Sequence, residues 1–389
     1  MTESADVIIV GGGPAGTVAA IALAHSDPAL AERVVILEKA RYPREKPCAG
    51  AVGGRGDKIL ARMNARPEVP SVPITGMSFR ARAGEEAAHV DALGRVVRRI
   101  EFDHTLAEIA RARGIRIIED AKVERIDQDR ERAAVVTARA VYPAKIVVGA
   151  DGVGSVVRKT MNLGAGTLRA QVLEIDTESV STDRERSLLH FDASDRDLTG
   201  YYWDFPTIVD GRELVCRGIY HLRVGADDVD LQARLGKYLA QIGLDVSAYK
   251  NKRYAERGID FHERLSAGPL MLVGEAAGID PITGEGIAQA IEYGALAGEF
   301  LARVLRQRDE LARWTTVVHR SRLGVDLRLR RRLVRTFFGA LRSQLEAVLL
   351  DHVALRCGAR HFAALPQPPG EVARILLRLG GIWLRRRSG

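Results

Sequence analysis

The feature that most constrains the fold is a glycine-rich turn directly after a short apolar segment near the start of the chain. Residues 7–10 are Val-Ile-Ile-Val, and the next residues are Gly-Gly-Gly-Pro-Ala-Gly. This pattern predicts a strand, a tight turn and a helix whose unpaired N–H groups point at a pyrophosphate. The residues predicted to contact a dinucleotide here are Gly11, Gly13, Pro14, Ala15 and Gly16.

A second apolar segment supports the same interpretation. Residues 34–37 are Val-Val-Ile-Leu, and Glu38 follows them, 22 residues after Gly16. A carboxylate at this distance is typical of a site that holds the ribose hydroxyls of a dinucleotide. Glu38 would repel a 2′-phosphate, and Lys39 is predicted to lie beside the same ribose. A glycine turn without a ligand is the alternative, and the flanking strand and helix patterns disfavour it.

Composition bounds the fold and the compartment. A chain of 389 residues with 46% hydrophobic residues can build two domains, or one large domain with a tail. Its three cysteines, Cys48, Cys216 and Cys357, are too far apart for a disulfide framework or a Cys-x-x-Cys knuckle, and its nine histidines form no metal-ligand pair. No apolar stretch of 18 uncharged residues is present. We therefore predict a cytoplasmic protein with no metal site.

Charge is concentrated at the C-terminal end. The net charge is +8, but residues 301–389 hold 19 arginines, no lysine and six acidic residues, a net +13. Such asymmetry favours contact with an anionic membrane surface or an acidic partner, and the alternative is a solvated arginine-rich helical face. Residues 370–389 could form an amphipathic helix at a membrane. No nucleic-acid reading module is recognisable, so nucleic acid is not a predicted partner.

Two further motifs follow the glycine turn in order. Residues 149–158 read Gly-Ala-Asp-Gly-Val-Gly-Ser-Val-Val-Arg, and residues 274–287 read Gly-Glu-Ala-Ala-Gly-Ile-Asp-Pro-Ile-Thr-Gly-Glu-Gly-Ile. The three motifs together resemble those of the FAD-dependent oxidoreductases of the p-hydroxybenzoate hydroxylase fold. The segment 46–50, Lys-Pro-Cys-Ala-Gly, and the segment 202–206, Tyr-Trp-Asp-Phe-Pro, are similar to the geranylgeranyl reductase branch of that family.

The resemblance implies the fold class and its division into domains. It implies an α/β protein with a Rossmann-type FAD-binding domain, an interleaved mixed β-sheet substrate domain and a helical C-terminal region. We place the FAD-binding domain at residues 1–164 and 265–305, the substrate sheet domain at 165–264 and the helical, arginine-rich region at 306–389. The helix after the third motif is expected to begin at Gly284, and the helix near Arg99 is expected to begin around Asp103.

The resemblance also implies further contacts to a non-covalent FAD. Asp151 and Gly152 would lie near the pyrophosphate, and Gly274 with Glu275 near the ribityl hydroxyls, where the family usually has aspartate. Arg99 would approach the ribityl or phosphate groups, although Arg98 could serve instead, and the alternative for both is a surface charge. The dipole of the helix after the third motif would stabilise negative charge on the reduced flavin. The residues predicted to contact the ring are Cys48, Ala49, Pro281, Gly284, Gly286 and Ile287.

Cys48 and Trp203 are the predicted catalytic residues. The Cys48 thiol would gate, protonate or position the substrate, and the alternative is a small buried hydrophobe. Trp203, with Phe205, Tyr201 and Tyr202, would place two aromatic rings on each face of a strand, as a cavity wall or as ordinary core. Tyr201 stands where the halogenase relatives have tryptophan, which disfavours halogenation.

These features lead to one preferred function and two alternatives. With a single nucleotide turn, electrons are expected from a transiently bound NAD(P)H or another external reductant. The preferred reaction is hydride transfer from reduced flavin to carbon–carbon double bonds of an isoprenoid or other apolar substrate, on a lipid or quinone. One alternative is a monooxygenase that hydroxylates an aromatic or polyketide-like molecule. The other is a membrane-associated flavin-binding protein without turnover.

Overall fold

The computed structural model describes residues 5–223 and 229–385, and at 376 and 379–385 it describes the backbone alone. The strands are β1 (Ala5–Val10), β2 (Val34–Leu37), β3 (Ala51–Gly53), β4 (Ser71–Ala81), β5 (Gly84–Val97), β6 (Arg116–Ile118), β7 (Val123–Gln128), β8 (Ala133–Thr137), β9 (Val141–Gly149), β10 (Arg169–Thr177), β11 (Leu188–Asp192), β12 (Gly200–Val209), β13 (Arg212–Arg223), β14 (Lys252–Arg257), β15 (Ser266–Ala267) and β16 (Leu270–Leu272). The helices are α1 (Pro14–Ser26), α2 (Gly54–Arg62), α3 (Arg99–Ala112), α4 (Val156–Thr160), α5 (Leu231–Ala240), α6 (Ile287–Leu305), α7 (Trp314–Arg320), α8 (Arg322–Phe337), α9 (Arg342–Leu349), α10 (His352–Phe362) and α11 (Pro369–Arg385).

The first sheet carries the nucleotide motifs. Its main strand order is β15-β16-β9-β1-β2-β6, with β7 and β8 attached beside β9. Strand β1 pairs in parallel with β2 and β9, and β9 pairs in parallel with β16. The central strands are almost wholly apolar and buried because both faces of a parallel sheet are covered. This arrangement confirms the predicted α/β class and the opening strand, helix and strand.

Helices α1 and α6 pack with their backbones in contact. A Cβ atom added at Gly294 would lie 2.7 Å from the backbone oxygen of Ala15, and one added at Gly298 would lie 2.5 Å from that of Ala19. Only glycine permits this approach, because a side chain at either position would overlap α1. The close packing ties the helix after the first motif to the helix after the third.

The second sheet is larger than the predicted substrate domain. Its strand order is β14-β10-β13-β12-β11-β4-β5-β3, and it is antiparallel except between β11 and β4. Strands β3 to β5 lie within residues 51–97. The sequence analysis assigns these residues to the FAD-binding domain. That placement followed the chain order, whereas sheet membership follows hydrogen bonding, and β4 pairs with β11 more than 100 residues later.

Two helices begin at residues other than those predicted. Helix α6 begins at Ile287 rather than Gly284, because Gly284 has φ +63°, a left-handed value that no α-helix accommodates. Helix α3 begins at Arg99 rather than near Asp103. Asp103 serves inside the first turns of α3 as the ion-pair partner of Arg99, four residues before it.

The C-terminal region is helical, as expected, but part of it packs on the second sheet. Leu355 and Ala359 of α10 are buried, and so is Val334 of α8. Leu355 belongs to the same apolar cluster as Phe79 of β4, and Ala359 belongs to that of Trp203 of β12. The final segment Arg386-Arg387 lies outside the described residues. In the part of the chain that is described, no helix is long and apolar enough to cross a membrane.

Candidate active site

The glycine turn combines two kinds of glycine. Gly11 has φ +102°, and a Cβ there would lie 2.5 Å from the backbone oxygen of Ala150, while a Cβ at Gly16 would overlap the oxygen of Gly11. Both are therefore required by the packing of the turn itself. Gly13 differs, because the atoms nearest to its Cβ position are guanidinium nitrogens of Arg99 and Arg44, at 3.8 and 3.9 Å. Gly13 faces open space beside two positive charges.

Glu38 lies at the base of this turn, as predicted. It is buried and accepts hydrogen bonds from the backbone N–H groups of Gly12 at 2.8 Å and Ala40 at 3.1 Å. Arg44 Nε lies 3.5 Å from Glu38 Oε1. Lys39, predicted beside the same ribose, is exposed. Arg44 was not predicted, and its only sequence signal is a position in the irregular loop that follows β2.

Arg99, and not Arg98, lies beside the glycine turn. Its Nε and Nη2 atoms donate to the two carboxylate oxygens of Asp103, both at 2.7 Å. This pairing and the hydrogen bond between Arg99 and Cys48 raise the pKa of the guanidinium against the opposing effect of burial. Arg98 instead forms an ion pair with Asp176 at 3.2 Å. The Arg99 side chain therefore connects the pyrophosphate turn with the Cys48 loop.

The second and third motifs meet in space and leave two carboxylate oxygens without partners. Asp151 Oδ2 accepts from the backbone N–H of Val156 at 2.6 Å, but Asp151 Oδ1 is buried and receives no hydrogen bond from any residue that the structure describes. Glu275 Oε1 is buried in the same way, and its other oxygen lies 3.5 Å from the Cβ position of Gly152. Burial raises the pKa of both carboxyls. Partnerless acceptors of this kind fit a ligand that brings hydroxyl or N–H donors.

FAD therefore matches the donor set that the protein presents. The Arg44 and Arg99 guanidiniums and the first N–H groups of α1 suit a diphosphate. Glu38 suits the ribose hydroxyls, and the partnerless oxygens of Asp151 and Glu275 suit further hydroxyl groups. Gly274, with φ +57°, is held against Ala15 of the first motif, since a Cβ there would lie 2.6 Å from Ala15 Cβ.

The segment between Asp280 and Gly286 is fixed by a C-terminal helix. Arg330 of α8 forms ion pairs with Asp280 at 2.5 Å and with Glu285 at 3.3 Å, and it also pairs with Asp326 one turn earlier at 3.2 Å. The Tyr220 hydroxyl donates to the backbone oxygen of Pro281 at 3.1 Å. The segment predicted to face the flavin is thus held from two sides, by α8 and by the second sheet. Arg330 was not predicted, since one arginine among many carries no distinguishing signal.

A largely apolar cavity of about 300 Å³ adjoins this segment. Three parts of the molecule line it: the loop containing Cys48, the second sheet, and helices α8 to α10. Five of the six predicted ring-facing residues, Cys48, Ala49, Gly284, Gly286 and Ile287, border the cavity, whereas Pro281 is buried and does not line it. Its apolar lining includes Met77, Phe79, Phe191, Tyr201, Trp203, Phe205, Phe337, Phe338, Leu349, Leu355 and Phe362.

The aromatic strand β12 was partly misread. Tyr201, Trp203 and Phe205 all line the cavity, and only Tyr202 points to the opposite face, where its ring stacks on Tyr238 at 4.5 Å. Three rings lie on one face because residues at odd positions share a face, so the predicted two-and-two arrangement is wrong. Trp203 is buried and forms a cavity wall.

Cys48 is placed by its backbone. Its N–H donates to Glu174 Oε1 at 2.9 Å, and the side chain borders the cavity. Burial raises the pKa of the Cys48 thiol, with nearby Arg99 opposing the shift. The thiol is therefore held largely protonated at neutral pH. Its role and that of Trp203 stay predictions.

Comparisons with known proteins agree with this geometry. The family described as FAD binding domain matches residues 4–323. Menaquinone reductase of Mycobacterium tuberculosis is 26% identical over 365 residues, covering 85% of this chain and 83% of the relative. Digeranylgeranylglycerophospholipid reductase 1 of Methanococcoides burtonii is 28% identical over 331 residues, covering 79% and 77%.

Solved structures share the fold. A geranylgeranyl bacteriochlorophyll reductase-like protein from Thermoplasma acidophilum superposes with a TM-score of 0.70 at 18% identity, covering 97% of this chain and 96% of that one. A flavin-dependent brominase reaches 0.72 at 17% identity, covering 100% of both chains. At such identities the likeness concerns the fold alone, which reductases and halogenases have in common.

Proposed function

From the premise that this chain belongs to the FAD binding domain family and is an FAD-dependent oxidoreductase, we propose that it reduces carbon–carbon double bonds in an isoprenoid chain. The observation that carries the proposal is the apolar cavity beside Cys48 and the segment 280–286. A cavity walled by aromatic and aliphatic side chains suits a substrate without polar groups to recognise. The two curated relatives are named as reductases of menaquinone and of a geranylgeranyl lipid.

The residues of the first sheet hold and orient the cofactor. Arg44, Arg99 and the N-terminus of α1 bind the diphosphate, and Gly13 leaves the room it needs. Asp151 and Glu275 accept hydrogen bonds from hydroxyl groups. When bound and reduced, FAD supplies a hydride. The only nucleotide turn legible in the sequence serves FAD, so we propose that NAD(P)H or another external reductant binds transiently to supply the electrons.

The second sheet and the C-terminal helices select the substrate. Trp203, Phe205 and Tyr201 form one wall, and Phe337 and Phe338 of α8 form part of another. Together they exclude water, which protects the reduced flavin and gives an apolar chain a favourable environment. The Cys48 loop borders the end of the cavity nearest to the segment predicted to face the ring.

We also propose that the protein meets its substrate at a membrane surface. Val325 and Leu329 on α8 are each 57% exposed and lie one turn apart, and Leu377 on α11 is 78% exposed. The free positive charge near these side chains is smaller than the net charge of residues 301–389 suggests, because Arg374 and Arg378 form ion pairs with Asp351. Arg322 and Arg332 on α8 are also exposed, at helical spacing from Val325 and Leu329, and apolar side chains beside exposed arginines support binding at a lipid interface.

The decisive experiment compares substrate with oxygen. Purified protein is denatured to identify its flavin, and the native protein is then reduced with dithionite under argon. A lipid with a geranylgeranyl chain and no quinone ring should reoxidise the flavin without air, and the product should have gained two hydrogens in its prenyl chain. Reoxidation only when air and an aromatic acceptor are present would indicate the monooxygenase instead. Bound FAD without either reaction would indicate a flavin-binding protein without turnover.

A further inference from the structure

Reduction of an isolated double bond requires an acid as well as a hydride. The bond carries no group that could hold negative charge on carbon, so a proton must reach one carbon as the hydride reaches the other. The protein must therefore place a proton donor in the cavity, and a stronger acid serves better than a weaker one. This requirement rests on the proposed function.

The tyrosines of the cavity do not meet it. The Tyr201 hydroxyl donates its hydrogen to the backbone oxygen of Thr283 at 2.5 Å, and the Tyr220 hydroxyl donates to that of Pro281 at 3.1 Å. Tyr254 donates to Glu174 Oε2 at 3.1 Å. Burial raises the pKa of all three phenols well above the ordinary value. Each hydroxyl proton is already donated in a hydrogen bond, and each phenol is a weak acid.

Two carboxyl groups of the cavity wall are already paired with arginines. Glu285 is held by Arg330 at 3.3 Å, and Glu346 accepts from Arg342 at 2.7 Å. Both carboxyl groups are therefore already engaged by an arginine, which distinguishes them from a carboxyl without a partner. His361 lies 2.8 Å from an oxygen of Asp326.

Glu256 on β14 is different. It borders the cavity, and its Oε2 atom is buried with no hydrogen-bond donor within reach among the described residues. That oxygen lies 2.6 Å from the Cβ position of Gly284, in the segment predicted to face the flavin. The same Cβ position lies 3.0 Å from the ring of Tyr220, so both side chains adjoin Gly284. A carboxyl that receives no donor is favoured in its neutral form, with a hydrogen available to a substrate.

We propose that Glu256 is the proton donor to the substrate double bond. The O–H bond of its carboxyl breaks as one new C–H bond forms, and the hydride from the reduced flavin forms the other. The carboxylate then regains a proton from water, and the external reductant restores the reduced flavin. Glu256 is a catalytic residue in this scheme, while Cys48 retains a gating or positioning role.

The charges around Glu256 favour the neutral form. Burial raises its pKa most, and the carboxyls of Glu275, Asp280 and Glu174 raise it further, while Lys46 opposes them. Cys48 is the other proton-bearing side chain at this end of the cavity, but a thiol has an ordinary pKa of about 8.5, against about 4.3 for a glutamic acid. Burial raises the pKa of both groups, and position distinguishes them, because Glu256 Oε2 lies 2.6 Å from the Cβ position of Gly284, in the segment predicted to face the flavin.

The test compares wild type with Glu256→Gln, an almost isosteric change that removes the acidic proton. Each FAD-loaded protein is reduced with stoichiometric dithionite under argon and mixed with a geranylgeranyl lipid that has no quinone ring, and flavin reoxidation is followed by absorbance. We expect reoxidation about 100-fold slower in Glu256→Gln, with unchanged FAD content. Glu256→Asp, which keeps an acid, should recover part of the rate. Glu213→Gln is the matched control, because Glu213 lies on the same sheet and its side chain is 73% exposed.

A second measurement does not depend on turnover. The infrared difference spectrum of wild type minus Glu256→Gln at neutral pH should contain the C=O stretching band of a protonated carboxylic acid. Absence of that band, or equal reoxidation rates in the two proteins, would overturn the role of Glu256 and leave the proposed function standing. If wild type itself is not reoxidised under argon, the proposed function fails, and the role of Glu256 in it fails too.

Discussion

The part of the site around the three glycine-rich motifs, called the cofactor side below, and the apolar cavity that we propose takes the substrate, called the substrate side, are built by different means. On the cofactor side, short motifs follow strand ends, and backbone clashes at Gly11 and Gly16 fix which residue can stand there. On the substrate side, the cavity wall is assembled from a second sheet and from helices near the end of the chain. On the first side the backbone restricts which residues can stand in the turn, whereas on the second side the cavity depends on side chains from distant segments of the chain.

The sharpest test of this contrast replaces two glycines of one motif. Gly13→Val should fold but bind no FAD, because its Cβ enters open space beside Arg99 and Arg44 where the diphosphate would lie. Gly16→Val should fail to fold, because its Cβ would overlap the backbone oxygen of Gly11. Flavin absorbance per protein and far-ultraviolet circular dichroism distinguish the two. A yellow Gly13→Val protein at full stoichiometry would show that the turn serves packing alone.

The substrate side should depend on a buried ion network rather than on glycines. Arg330→Met leaves Asp280, Glu285 and Asp326 without their shared cation, so we expect a loss of about 3–5 kcal/mol in the free energy of unfolding. Urea unfolding measures it, and Arg332→Met, at an exposed position two residues later, is the control. Equal stability of the two variants would contradict a structural role for the network.

Cys48 lies between the cofactor side and the substrate side, and replacing it should change turnover without changing FAD binding. Cys48→Ser keeps the backbone hydrogen bond to Glu174, so FAD content should be unchanged. Turnover of the prenyl substrate should fall by about tenfold, or about 1.4 kcal/mol in the barrier, because the side chain borders the cavity. Cys357→Ser, on α10, is the control. An unchanged rate would make Cys48 an ordinary core residue.

The smallest expected effect concerns α11. Removing residues 370–389 breaks exposed ion pairs of Asp351 with Arg374 and Arg378, each worth at most about 1 kcal/mol. FAD content should not change, since every flavin motif ends before residue 290. Co-sedimentation with anionic vesicles should weaken several-fold and should decline as salt shortens the Debye length from about 10 Å at 0.1 M. Equal binding to neutral and anionic vesicles would argue against electrostatic attachment.

The features that could be predicted from the sequence depend on residues that lie close together in the chain. Glu38 and the glycine turn lie within one strand-helix-strand unit, so a single period and a few residue types sufficed to place them. Arg44 and Arg330 could not be predicted, because each owes its position to partners from other elements, as Arg330 does to Asp280 fifty residues earlier. The sheet that contains β4 and β5 could not be assigned for the same reason, since β4 joins it by pairing with β11, which comes much later in the chain, and β5 pairs with β4.

The glycine contacts between α1 and α6 give the scaffold a fixed length. Gly294 of α6 lies against Ala15 in the first turn of α1. Helix α6 begins at Ile287, seven residues before Gly294. At 1.5 Å per residue the two helix starts are offset by about 10 Å along their axes. Backbones in contact cannot slide to change this offset. A ligand that contacts both helix N-termini must therefore span this fixed offset.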